Sequence, residues 1–124
     1  MTNKFMSIVK KFSRAISGLV SVVTAETSIR IHMVIGGGVI LCSWFLKISR
    51  MEFLVVLVVI FSLIVLEGIN TILERVIDLA EPRYSPLVRE IKDALAGLVL
   101  LASIGAFFVG ITIFWPYIKA YLEV

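Results

Sequence analysis

The sequence predicts an all-α membrane protein, with an amphipathic N-terminal surface helix, then three transmembrane helices, in a single domain over residues 1–124. Three observations point there. Hydrophobic residues make up 60% of the chain and its mean hydropathy is +1.05, too apolar for a domain of this size to cover with water-facing groups. The apolar residues gather in three stretches, 33–46, 53–73 and 94–118, and the last two are long enough to cross a hydrocarbon core of about 30 Å. The 12 basic residues are unevenly shared: Lys47, Arg50 and Lys119 fall on one side of the spans, and the other nine on the opposite side. By the positive-inside rule that richer side, with the N-terminus and the loop between the second and third spans, is cytoplasmic.

The surface helix is expected over about 4–23. Phe5, Ile8, Val9, Phe12, Ile16, Leu19 and Val20 recur in helical rhythm on one side, with Lys4, Lys10, Lys11 and Arg14 largely elsewhere. That is the pattern of a helix lying in the membrane interface, its lysines toward anionic headgroups. Thr24 is placed to cap the next segment, which passes Glu26 and Arg30 into the first span at about 29–46. Glu26 and Arg30 stand four residues apart, the spacing of a helical ion pair. The first apolar run begins too late, and lacks the small-residue cleavage site, to read as a signal peptide. The single cysteine, Cys42, lies within this span and allows no intramolecular disulfide.

A short turn over 47–52 makes the first two spans antiparallel neighbours. Trp44 and Phe45 at its edge, with Trp115, Tyr117 and Tyr121, form an aromatic belt at the outer interface. The second span covers about 53–73. Glu81-Pro82-Arg83-Tyr84-Ser85-Pro86 then breaks the chain, and a new helix starting near Pro86 runs on as the third span, about 94–118. Ala102, Ala106 and Gly110 form a stripe of small residues that lets helices approach closely in lipid, and Gly36, Gly37 and Gly38 offer the same in the first span. Three thin spans enclose little, so a homo-oligomer is expected.

Chemistry concentrates in a polar stripe at the end of the second span: Glu67, Asn70, Glu74 and Asp78. Spacings of three, four and four place them within an arc of about 80° on a helix. Carboxylates beside hydrocarbon are costly and normally face a bundle interior with a function. Acids and an amide on one face suit a divalent metal and the phosphates it brings. Lys92 and Asp93 open the third span at about the depth of Glu74, and Glu26 sits at a similar depth. Glu67 lies roughly 10 Å deeper than Glu74, where a lipid hydroxyl would meet it as general base. No P-loop, dinucleotide fingerprint, zinc-protease or protein-kinase motif occurs. A nucleotide would therefore bind through metal and scattered charges on helices.

The order Glu67-x-x-Asn70-Thr71-x-x-Glu74-x-x-x-Asp78, followed by Lys92-Asp93, resembles the signature of the small prokaryotic diacylglycerol kinases, a family that includes the undecaprenol kinases. The resemblance extends to Gly18-Leu19 and to Glu26-x-x-x-Arg30-x-His32. It implies a homotrimer in the bacterial inner membrane, with composite active sites between subunits on the cytoplasmic side. Glu26 and Glu74 would hold Mg²⁺ on the ATP phosphates, and Glu67 would be the catalytic base. Asn70 would support the metal–phosphate region, and Lys92 would contact the transferring phosphate with Asp93 beside it. Tyr84 would help contain the nucleotide, and Arg30 would face the lipid. Arg30-x-His32 looks like the undecaprenol-kinase branch. The chain departs from the pattern at Ile72, where alanine is usual, at Gly68, and at Ser7 in place of an arginine. The rival expectation is a small oligomeric transporter using intramembrane carboxylates, which would put acids near mid-membrane with access from both sides.

Overall fold

The computed structural model describes residues 2–123. Four helices follow in order: α1 (Thr2–Ala25), α2 (Thr27–Phe45), α3 (Arg50–Ala80) and α4 (Pro86–Leu122), with no strand among the described residues. The last three are long and apolar enough to cross a membrane. At about 1.5 Å per residue, α3 and α4 both exceed a 30 Å hydrocarbon core, so each must project beyond it. The overhang of α3 beyond 53–73 carries Glu74 and Asp78, with Glu67 and Asn70 in the last turns of the span itself.

α3 and α4 begin where the sequence supplies a serine cap. Ser49 and Glu52 form a capping box at the start of α3: the Ser49 hydroxyl accepts from the Glu52 N–H at 3.2 Å, and the Ser49 N–H donates to Glu52 Oε2 at 2.9 Å. Tyr117 of α4 donates its hydroxyl hydrogen to the same carboxylate at 2.5 Å, tying the α2–α3 turn to α4. At the end of α2 the chain turns through Lys47 at φ 51°. The Lys47 N–H reaches Trp44 O and the Ile48 N–H reaches Ser43 O, the two bonds of a Schellman turn, here without its usual glycine. Ser85 caps α4 by accepting from the Val88 N–H at 3.2 Å, and Pro86 occupies the first turn. Pro116 lies inside α4 without ending it.

The cap expected from Thr24 is not made. Its hydroxyl donates back to Val20 O at 2.8 Å, and α1 runs through it to Ala25. The residue that caps α2 is Glu26, in extended conformation and without a side-chain cap bond. Hydroxyls within the spans satisfy themselves the same way: Ser43, Ser103 and Thr112 each donate to the carbonyl four residues earlier, as hydrocarbon surroundings demand.

α3 is the central element, with α2 packed on it from one side and α4 from the other. The buried core within the chain is small: Ile29 and Val56, with Ser43, Thr71, Gly36 and Glu67. α1 exposes its apolar face, with Phe5, Phe12 and Leu19 more than 60% accessible, and only Val22 and Val23 near its end are partly covered. An exposed apolar stripe flanked by lysines is what an interfacial helix presents to lipid.

Gly36 explains how α2 and α3 come close. A Cβ there would stand 2.7 Å from Ile60 Cγ2, and that atom branches at Cβ, so it cannot swing away cheaply. Gly36→Val should therefore destabilise the fold by about 1–3 kcal/mol through overpacking. Thermal unfolding in detergent checks this, and a variant as stable as the parent refutes it. Gly37, Gly38, Gly105 and Gly110 face open space instead. At Gly110 the small-residue stripe of α4 thus has no close neighbour within its own chain. Ala106 and Gly110 line an apolar groove of about 880 Å³ between α2 and α4, floored by Val56, Val59, Ile60 and Leu63 of α3.

Candidate active site at the end of the second span

The site is built on about the last four turns of the central helix. Glu67 is only 7% exposed, and among the described residues it forms neither a hydrogen bond nor an ion pair. An acid largely enclosed by its own chain and left without a partner keeps its carboxylate free to meet an incoming polar group. One turn on, Asn70 donates its amide to Glu74 Oε1 at 3.3 Å. The Asn70 carbonyl oxygen is buried with no partner. Buried acceptors are almost always satisfied, so an orphan one beside two carboxylates fits an absent cation or hydroxyl. Thr71, 4% exposed, borders the stripe on the same helix.

Glu26 enters from the α1–α2 junction. It pairs with Arg75 of α3 at 3.9 Å, both side chains about two-fifths exposed. The expected Glu26–Arg30 pair is not formed. Arg30 donates instead to the Thr27 hydroxyl at 2.9 Å and is exposed; Glu26 is the N-cap of α2, and its extended backbone directs its side chain away from the helical i,i+4 position. No local signal in the sequence marks the partnership with Arg75, which stands far along the chain on another helix among the other basic residues of the cytoplasmic side.

Lys92 comes from α4 and binds Asp78 of α3 at 2.5 Å, which closes the polar stripe from the side. This contact puts the Lys92 ammonium beside the last acid of the stripe. Asp93 points elsewhere: it pairs with Arg89 at 3.8 Å on the exposed face of α4. Tyr84, 81% exposed, and Asp93 line a shallow cleft of about 380 Å³ with Pro86, Arg89 and Glu90. Within one chain this cleft is separate from the stripe. His32 is half-buried, bonds Ser28 O through Nδ1 at 3.0 Å, and lines the apolar groove.

The expected donors are the carboxylates of Glu26, which pairs with Arg75, and of Glu74, which accepts from Asn70, together with the orphan amide oxygen of Asn70. These are hard oxygen ligands of the kind Mg²⁺ takes. No three His, Cys, Asp or Glu side chains among the described residues gather into a complete metal cage. Mg²⁺ commonly uses one or two carboxylates and lets phosphates and water complete its shell, so the residues present fit that ion.

Comparisons with known proteins bear on what such a site does. The family model described as prokaryotic diacylglycerol kinase matches residues 13–114. An undecaprenol kinase from Bacillus subtilis is 27% identical over 114 residues, covering 92% of this chain and 93% of that protein. A diacylglycerol kinase from a Synechocystis species is 32% identical over 105 residues, covering 84% of this chain and 60% of that protein.

Proposed function

Since this chain belongs to the prokaryotic diacylglycerol kinase family, we propose that it transfers the γ-phosphate of Mg-ATP to the primary hydroxyl of a long-chain membrane lipid, undecaprenol or diacylglycerol. That it is a membrane lipid kinase follows from the family and from relatives named undecaprenol kinase and diacylglycerol kinase. Donor, metal and acceptor are read from the site.

One observation carries the reading. On α3, Val56, Ile60 and Leu63, which floor the apolar groove, fall within the same arc of about 80° as Glu67, Asn70, Glu74 and Asp78. One helix face thus passes from hydrocarbon to carboxylate. That is the polarity of an acceptor with a long apolar chain and a single reactive hydroxyl, and it argues against a transporter, which needs polar access from both sides.

In this reading Glu26 and Glu74, aided by Asn70, hold Mg²⁺, which when bound neutralises phosphate charge. The acceptor oxygen attacks the γ-phosphorus while the bond to the β-phosphate oxygen breaks, and ADP leaves. The hydroxyl proton passes to the Glu67 carboxylate. Lys92 places a fixed cation at the phosphate level, where positioning and charge do most of the work in phosphoryl transfer. Arg30 faces the lipid headgroup region, and Tyr84 and Asp93 hold the nucleotide from a neighbouring subunit. The separation of their cleft from the stripe within one chain supports composite sites in a homotrimer, as does the open groove. The basic end faces the cytoplasm, where ATP is, across the bacterial inner membrane. Undecaprenol is favoured as acceptor by the relative matched almost end to end and by Arg30-x-His32.

Purified protein in mixed micelles with Mg-ATP, given each lipid separately, should form lipid phosphate, faster with undecaprenol. If neither lipid is phosphorylated by folded protein, the proposal fails.

A further inference from the structure

We infer that Asp78 is a positioning residue for phosphoryl transfer: it holds the Lys92 ammonium at the level where the transferring phosphate passes. The inference rests on the lipid-kinase reading above and adds a residue to it.

The geometry is specific. Asp78 lies on α3 one turn past Glu74, on the same face, and its Oδ1 receives Lys92 Nζ at 2.5 Å from α4. The Lys92 side chain is about one-third exposed and Asp78 nearly twice as much, so the carboxylate stands on the water side of the ammonium. An ammonium carries three N–H donors, and this contact occupies one. Two remain for phosphate oxygens. Lysine is otherwise a point charge on a flexible four-carbon stem, which must be localised each time substrate binds. An acid anchored on the helix that carries Glu67 and Glu74 removes that search, because base, metal-side acid and cation then share one rigid element.

Two other roles for Asp78 make different predictions. A simple clip between α3 and α4 would affect stability and leave turnover of the folded protein unchanged. An acid that merely competes with phosphate for Lys92 would slow the enzyme, so removing it would raise activity or tighten ATP.

The test compares Asp78→Asn, Asp78→Glu, Lys92→Ala and the double variant Asp78→Asn/Lys92→Ala, each checked for folded oligomer in detergent. Asp78→Asn is nearly isosteric and should fold. It should lower kcat by ~10-fold or more, the scale of losing placement rather than a reacting group, while changing the KM for ATP by less than ~3-fold. Asp78→Glu should recover most of the loss, since it keeps a carboxylate within reach. In the Lys92→Ala background, Asp78→Asn should cause no further fall in kcat, because its effect runs through the lysine. Wild-type kcat in Asp78→Asn overturns the inference. So does a loss confined to KM, a gain in rate, or losses that multiply in the double variant. Should Lys92→Ala be too slow to measure, the kcat–KM split and the glutamate rescue decide alone. Failure of the broader reading looks different: the wild-type protein itself would then phosphorylate no lipid.

Discussion

Glu67→Gln should abolish phosphoryl transfer while leaving Mg-ATP binding almost intact. The exchange keeps size and hydrogen-bonding shape, so the buried turn holding Thr71 and Asn70 should still pack. What disappears is the capacity to accept a proton, because a neutral amide cannot take one from the acceptor hydroxyl. General-base removal commonly costs ~10²–10⁴-fold, and here no other carboxylate on α3 lies within a turn of Glu67: the next, Glu74, is two turns on, roughly 10 Å away. Binding should survive because the ATP phosphates meet the site at the level of Glu74 and Lys92. Nucleotide affinity measured alongside turnover separates the roles. If Glu67→Gln loses Mg-ATP as badly as a change at Glu74 does, Glu67 is a metal ligand and the base lies elsewhere.

Glu74→Gln should fail in the complementary way. Glu74 has Asn70 as its hydrogen-bond partner, and the carboxamide can keep that contact. The fold should therefore persist, as should the oligomer. The lost charge removes one of the two carboxylates offered to Mg²⁺, so Mg-ATP affinity should fall and turnover should drop by ~10²-fold or more. Raising the Mg²⁺ concentration should recover part of the activity, which it cannot do for Glu67→Gln. Near-normal turnover in a folded Glu74→Gln oligomer would remove Glu74 from the metal site.

Both predictions concern residues legible in the sequence, and the reason is local. Glu67, Asn70 and Glu74 lie on one helix, so their common face follows from the helical repeat alone. The four helices follow from the same kind of signal. A capping box at Ser49 and Glu52, Pro86 after Ser85, and long uncharged runs are all written in neighbouring residues. Even the start of α4 at Pro86, well ahead of the apolar stretch it feeds, was readable from the breaker before it.

What misled was pairing across helices. Arg30 has the right spacing for Glu26, but Glu26 is the extended N-cap of α2 rather than a residue inside it, and Arg75 takes that place. Thr24 has the right identity for a cap, but its hydroxyl turned back along α1. Ala106 and Gly110 have the spacing of a packing stripe, but they line an open groove, and no atom of another helix of the chain comes within 4 Å of a Cβ placed on Gly110.

The sequence by itself therefore determined the membrane class, the helices, the polar face of α3 and the family signature, because each is carried by spacing within one segment. Tertiary structure alone decided that α3 is central, that Gly36 admits Ile60, that Lys92 is held by Asp78, and that an apolar groove leads along α3 toward Glu67. Those facts depend on which helix covers which face. In a chain apolar on nearly every side, the hydrophobic pattern does not distinguish a face that meets protein from one that meets lipid.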